Sequence, residues 1–243
     1  MYKENPKTKG SGIICAIPQK GTCPNNCEDC FFQSGRSYLE PLQENLPNVP
    51  NVKDAEGRIV RINDGNDSNV NKDRVLITAA WYKDCFFNTS IPQLDFPGPV
   101  VLTVNPGIMT DQGFDKLRTI PINLMFVRAR TNTWNLGLVD EIVEYYSYQK
   151  VPVVLTFMAY FGEESIPPLQ RNDYVWRKRT LNSYWAITTE AWRRVMKRYE
   201  DNIYVYSCGK IEGEKGNTAC RFCGNCIREY YAARERMRTN DNL

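Results

Sequence analysis

Short, nearly continuous runs of apolar and β-branched residues recur along this chain, separated by stretches whose apolar residues fall at helical spacing. Strand candidates are Gly12–Ile17, Ile59–Ile62, Val100–Val104, Ile122–Val127, Val153–Phe157 and Ile203–Tyr206. Runs that are apolar at every position, rather than at alternate ones, belong to parallel strands covered on both faces. Between them, Leu138, Val139, Ile142, Val143 and Tyr146 share one helical face, and Trp192, Val195, Met196 and Tyr199 another, with Thr189 and Glu190 at the start of the second. Lys72–Tyr82 reads as a third helix, and the Pro- and Asn-rich Leu39–Asp54 as a loop with one helical turn. Six strands with intervening helices give an α/β fold, a parallel sheet with right-handed crossovers. A partial barrel and a doubly wound open sheet both fit this pattern.

The 243 residues suffice for one large domain or a domain with a small appendage. The N-terminal MYKENPKTKGSG lacks the apolar core of a secretory signal. Val151–Phe161, the longest nearly apolar run, is too short to span a bilayer. The expectation is a cytoplasmic protein with no membrane partner.

Histidine is absent and cysteine occurs nine times. The first fact excludes Ser-His-Asp and Cys-His nucleophilic catalysis, His-dependent zinc hydrolysis and the H-x-E deaminase arrangement. The second, in a chain of this size and compartment, points to metal or redox chemistry rather than a disulfide framework. Cys15 and Cys85 stand alone and read as small buried hydrophobes. The other seven form two groups.

Cys23, Cys27 and Cys30 lie in GTCPNNCEDCFF with C-x3-C-x2-C spacing. Structural zinc takes four ligands, commonly as two separated pairs. Iron–sulfur clusters draw thiolates from one compact stretch, and three of them leave one iron of a cube open. The loop, directly after a first strand, resembles the signature of the radical SAM superfamily. That resemblance implies a partial (βα)6 TIM-like barrel, a [4Fe–4S] cluster on Cys23, Cys27 and Cys30, and S-adenosyl-L-methionine on the open iron. It thereby favours the barrel over the open sheet. The family often has an aromatic before the third cysteine; here Asp29 takes that place and Phe31 and Phe32 follow the loop. Asp64-Gly65-Asn66, after the second strand candidate, resembles the family's turn for the methionine amino group. An ordinary Asn/Asp/Gly turn is the other reading. Arg128, Arg130 and Asn132, after the fourth candidate, suit the methionine carboxylate and the ribose, and Asn105, after the third, serves likewise. Helix capping by Asn132 or Asn135 is the alternative.

Cys208, Cys220, Cys223 and Cys226 follow the last strand candidate as C-x11-C-x2-C-x2-C. This resembles a ferredoxin-like ligand run, and radical SAM enzymes often carry auxiliary clusters beyond the barrel. The expectation is a second [4Fe–4S] cluster, with zinc the alternative. The domain division expected is 1–207 for the barrel and 208–243 for the Cys-rich metal-binding tail.

Arg171 to Arg198 holds eight basic residues against Asp173 and Glu190, interleaved with Tyr174, Trp176, Tyr184, Trp185 and Trp192. This composition suits a nucleotide or nucleic acid, or else a solvated helix face with its aromatics turned inward. Phe161–Arg179 interrupts the strand–helix rhythm and reads as a lid or substrate loop. The resemblance implies reductive cleavage of S-adenosylmethionine and hydrogen abstraction from a substrate. A peptide or protein side chain is expected first and a nucleotide or nucleic acid second, with a flavodoxin or ferredoxin as reductant. The alternatives are a zinc-binding nucleic-acid module and an iron–sulfur electron carrier.

Overall fold

A computed structural model describes residues 1–21, 23–25, 46–105, 117–178, 183–211 and 218–240. Its centre is a curled, seven-stranded parallel sheet that forms a half-barrel. The strands are β1 (Ile13–Ala16), β2 (Ile59–Ile62), β3 (Cys85–Thr89), β4 (Val100–Val104), β5 (Leu124–Thr131), β6 (Val153–Phe157) and, after three short strands described below, β10 (Val205–Ser207). They lie side by side in chain order. Neighbouring parallel strands joined by right-handed crossovers place every crossover on the same side of the sheet.

The sequence reading finds six of these strands and passes over β3. Cys85-Phe86-Phe87-Asn88-Thr89 holds only two strongly apolar residues between turn-forming neighbours. Its central position supplies what its composition lacks. Val60–Ile62 pairs with it on one side and Val100–Leu102 on the other, while Phe87 stacks on Phe96 with ring centroids 4.7 Å apart.

The expected helices form with shifted ends. The turn α1 (Val52–Ala55) is capped by Asn51, whose side chain accepts from the Asp54 amide at 2.8 Å. The helix α2 (Lys72–Ala79) stops at Ala80, short of Tyr82, whose hydroxyl donates to the Pro50 carbonyl at 2.6 Å. In α3 (Leu136–Tyr148) the buried face is Val139, Ile142, Val143 and Tyr146. In α4 (Thr189–Lys197) the cap is Thr188, one residue before the expected start, its hydroxyl accepting from the Ala191 amide at 3.2 Å. Between β6 and α4, the segment read as a substrate loop contributes to a small antiparallel sheet of β7 (Ala159–Tyr160), β9 (Tyr184–Ile187) and β8 (Tyr174–Arg177). No helix among the described residues is long and apolar enough to cross a membrane.

Strand alternation divides the sheet into two environments. Ile14, Val60, Ile62, Leu102, Val127 and Leu155 join Val75, Val139, Ile142 and Val195 of the crossover helices in the larger core. On the opposite, inner face, Ile13, Ile59, Phe86, Val101, Phe126 and Val154 pack against Tyr230 and Ala233. Those two belong to α5 (Asn225–Asn240), a sixteen-residue helix in the tail. It follows a two-stranded hairpin, β11 (Lys210–Ile211) with β12 (Thr218–Ala219).

Candidate functional site

Two residues further along each strand, the inner face changes character. Beyond Ile13 stands Cys15, and beyond Ile59 stands Arg61. Asn88 follows Phe86, Thr103 follows Val101, Arg128 follows Phe126, Thr156 follows Val154, and Cys208 follows Tyr206. An apolar layer sealed by α5 therefore underlies a polar layer at the carboxyl ends of the strands, where α/β folds bind ligands.

Part of this polar layer is unsatisfied. Arg61 Nε, Asn88 Oδ1 and Thr156 Oγ1, with Asn63 Oδ1 at the end of β2, are buried and have no hydrogen-bond partner among the described residues. Buried polar atoms without partners are costly, so several at one strand edge mark a place built for a polar ligand.

The loop entering the first cysteine group is tied to this edge. The Gln19 amide donates to the carbonyls of Asp67 and Val70 at 2.9 and 2.8 Å. Asn25, two residues beyond Cys23, donates to the Asp67 carboxylate at 3.0 Å and to Ser90 Oγ at 3.1 Å. The same carboxylate accepts from Thr89 Oγ1 at 2.8 Å and from the Ser90 amide at 2.6 Å. Cys23 is half-buried; Cys27 and Cys30 lie outside the described residues.

The other expected site residues divide by how their polar groups are used. Asp64 pairs with Arg61 and accepts from Asn5 at 2.5 Å. Gly65 and Asn66 continue the turn half-exposed, Asn66 accepting from the Asp67 amide at 2.8 Å. Asn105 is buried at the end of β4. Both arginines lie within β5 on the inner face. Arg128 Nη1 meets Thr103 Oγ1 at 3.5 Å, and Arg130 Nε meets Met158 Sδ at 3.0 Å. Asn132 is buried and its amide is occupied locally. Its oxygen accepts from the Trp134 and Asn135 amides at 2.9 and 2.8 Å, and its nitrogen donates to Tyr160 at 3.1 Å.

The sequence reading did not single out Arg61, Asp67, Asn88 or Thr156. For Arg61 a signal existed: a charged residue in phase with Ile59, inside a strand covered on both faces.

Arg61 sits between Asp64 and the buried Cys15, with Nη2 at 3.3 Å from Cys15 Sγ. Burial pushes the Cys15 thiol up to about 12, against the pull of the Arg61 charge. Burial likewise pushes Cys85 up to about 11. Both lone cysteines are protonated, inert thiols at neutral pH.

The second cysteine group has a local framework. Lys210 pairs with Ala219 across the β11–β12 hairpin, which returns the chain so that Cys220 stands beside the Cys208 end of β10. Gly224, with φ of 68°, turns the chain between Cys223 and Cys226, and Cys226 lies in the first turn of α5. Burial pushes Cys220 up to about 12, with the neighbouring Cys208 adding to the shift. Cys226 is pushed up to about 11 by burial, opposed by the charges of Arg128 and Arg61. Even so, among the described residues no three cysteine, aspartate or glutamate side chains stand around one point as metal ligands.

In the basic segment, Tyr174 and Ile187 are buried with Trp134, Trp185 and Trp192 packed about them. Arg194 bonds Asp173 at 2.6 Å, and Arg198 pairs with Asp140. Trp176, 44% exposed, is the aromatic that faces outward.

Compared with known proteins, the chain matches no family model, no curated protein and no solved structure.

Proposed function

We propose that this chain is a radical SAM enzyme and that its half-barrel is a partial (βα)6 TIM-like barrel with one additional strand. The observation that carries the reading is the meeting of two features. A C-x3-C-x2-C loop follows the first strand, and its Asn25 is hydrogen-bonded to Asp67 and Ser90 in the turns after β2 and β3, strands whose inner face holds buried polar atoms lacking partners among the described residues.

The donor set fits the group. Three thiolates from Cys23, Cys27 and Cys30 suit a cube with one open iron. When bound, the [4Fe–4S] cluster and S-adenosylmethionine supply a 5′-deoxyadenosyl radical able to take hydrogen from an unactivated C–H bond. The chain's own part is binding, orientation and exclusion of water. Arg128 and Arg130 offer guanidinium donors for a carboxylate, and Asn63, Asn88 and Thr156 offer neutral groups for amino and hydroxyl functions. Asp64 acts through Arg61, fixing its direction, and Asn132 holds the turn into α3. The apolar layer beneath keeps water from the floor of the site. A peptide or protein side chain is the leading substrate class and a nucleotide the next, with a flavodoxin or ferredoxin delivering the electron.

The test is anaerobic reconstitution, with iron and sulfide counts and EPR of reduced protein with and without S-adenosylmethionine. The expected result is a cofactor-perturbed spectrum and release of 5′-deoxyadenosine under dithionite, both lost in a Cys23→Ala variant. About eight irons would assign clusters to both cysteine groups, and about four with the same activity would leave the second group to zinc. Zinc alone, with no effect of S-adenosylmethionine on reduced protein, would overturn the proposal in favour of a zinc-binding module.

A further inference from the structure

Four cysteinates around zinc or a [4Fe–4S] core leave a net charge of about −2. Such a charge beside a packed core is costly unless cations stand close to it. The inner polar layer supplies two.

Arg61 and Arg128 lie two residues beyond Ile59 and Phe126, on the same face of β2 and β5. Ile59 and Phe126 belong to the inner core cluster against which Cys208 and Cys226 pack. Both guanidiniums therefore rise from the floor on which these cysteines rest. Arg61 has a side chain only 12% exposed, held by Asp64 on one side, with its Nε lacking a partner among the described residues. Arg128 is half-buried, its ring contact is the Phe126 face at 5.8 Å, and no carboxylate among the described residues pairs with it. The position of α5 agrees with this placement. The start of α5, where Cys226 lies, reaches both sheet edges: a β-carbon on Gly12 would meet Ile227 Cδ1 at 3.1 Å, and the Asn225 amide donates to the Ser207 carbonyl at 2.7 Å. A half-buried guanidinium with no paired acid among the described residues, on the floor against which Cys208 and Cys226 pack, is half of an ion pair.

We infer that Arg61 and Arg128 are charge-compensating residues for a four-thiolate metal centre formed by Cys208, Cys220, Cys223 and Cys226, with Asp64 setting how much of the Arg61 charge that centre feels. The inference rests on the reading that these cysteines bind metal. Closing the thiols on one ion is a rearrangement that binding drives, as metal sites are seldom preformed. Removing a guanidinium raises the cost of the dianion. Neutralising Asp64 does the reverse, because the Arg61 charge is then undivided.

The experiment uses the full chain with Cys23, Cys27 and Cys30 changed to alanine, so that metal reports on the second group alone. Anaerobic cobalt(II) titration reads the tetrathiolate absorption bands, and zinc competition gives affinities. Arg61→Met and Arg128→Met are each expected to weaken zinc binding roughly ten- to a hundredfold. Arg61→Lys should recover most of the loss, and Asp64→Asn should tighten binding. A purely structural role for the Arg61–Asp64 pair predicts weaker binding in both Arg61→Met and Asp64→Asn, so opposite signs separate the two explanations. Unchanged affinity in both methionine variants, or weaker binding in Asp64→Asn, would overturn the inference while leaving the metal centre intact. A parent chain without tetrathiolate bands, or bands that survive Cys208→Ser and Cys226→Ser, would overturn the metal reading itself and the inference with it. Should the triple-alanine chain fail to fold, native mass spectrometry of the otherwise unmodified chain, with and without Arg61→Met, counts retained zinc and decides the same question.

Discussion

The Asp67 carboxylate joins three parts of the chain that sequence separates widely. It accepts from Asn25 in the cysteine loop, from the Asn69 amide in its own turn, and from Thr89 at the end of β3 and Ser90 after it. The sequence reading chose Asp64 in the same turn, because a turn rich in Asn, Asp and Gly shows that carboxylates are present but not which one faces the loop. Asn63 decides this. Its φ of 62° is left-handed, which redirects the turn so that Asp64 lies back over Arg61 and Asp67 reaches forward. Asp67→Ala leaves several buried donors without an acceptor, and a loss of about 2–3 kcal/mol in urea unfolding is expected. Iron retained per chain after reconstitution should fall with it. Unchanged iron content would show that the loop is held by other contacts. Cys15 gives a prediction in pH. Burial raises its folded pKa above the unfolded value of about 8.5. The stability carried by the neutral thiol is therefore complete below that value and is lost as pH rises toward 12. Wild type should lose stability relative to Cys15→Ala by about 1.4 kcal/mol per pH unit above roughly pH 9, measured by unfolding under reductant. Parallel pH curves would show that the thiol is solvated in the folded state.

At the scale of elements, legibility followed periodicity. The strands with continuous apolar runs and the two helices with clean apolar faces are readable because sheet and helix burial impose those patterns directly. The strand β3 and the helix α5 are not. The buried positions of α5 are Asn225, Glu229, Tyr230 and Ala233, helical in spacing but half polar. Their burial is compensated by particular bonds. The Asn225 amide donates to the Ser207 carbonyl at 2.7 Å, Glu229 pairs with Arg228 at 2.7 Å, and Tyr230 donates to Asp84 at 3.0 Å. None of these partners can be inferred from composition. The Tyr230 ring, 1% exposed and 6.5 Å from Phe86, anchors the helix to the sheet. Tyr230→Ala should cost about 3–5 kcal/mol and Tyr230→Phe about 1 kcal/mol in chemical denaturation. Equal costs would mean that the hydroxyl bond to Asp84, not ring packing, holds the helix.

Across the whole molecule, α5 also relates to the two open edges of the half-barrel. Gly12, at the head of edge strand β1, has φ of 75°, and a β-carbon there would meet Ile227 Cδ1 at 3.1 Å. At the other edge, Asn225 holds the end of β10, and Arg228 lies over Tyr206 at 4.2 Å from the ring centroid. Further along, Arg236 Nη2 donates to the Leu124 carbonyl at the start of β5 at 2.6 Å. The helix thus spans from the edges to the middle of the sheet and covers its inner apolar layer. A division at residue 207 follows the cysteine spacing, yet the contacts cross it. The decisive comparison is a chain ending at residue 207 against one ending at 240. Without α5, six strands would expose Ile13, Ile59, Phe86, Val101, Phe126 and Val154 together, a patch larger than soluble monomers tolerate. The shorter chain is expected to aggregate or to collapse loosely, binding an apolar dye with weak near-ultraviolet dichroism. A monomeric, dye-negative 1–207 with cooperative unfolding would instead make the tail an independent metal-binding appendage. The reason for expecting the first outcome is geometric: the same helix that carries Cys226 in its first turn also closes the floor beneath Arg61 and Arg128, so the proposed metal centre and the core of the half-barrel share one element.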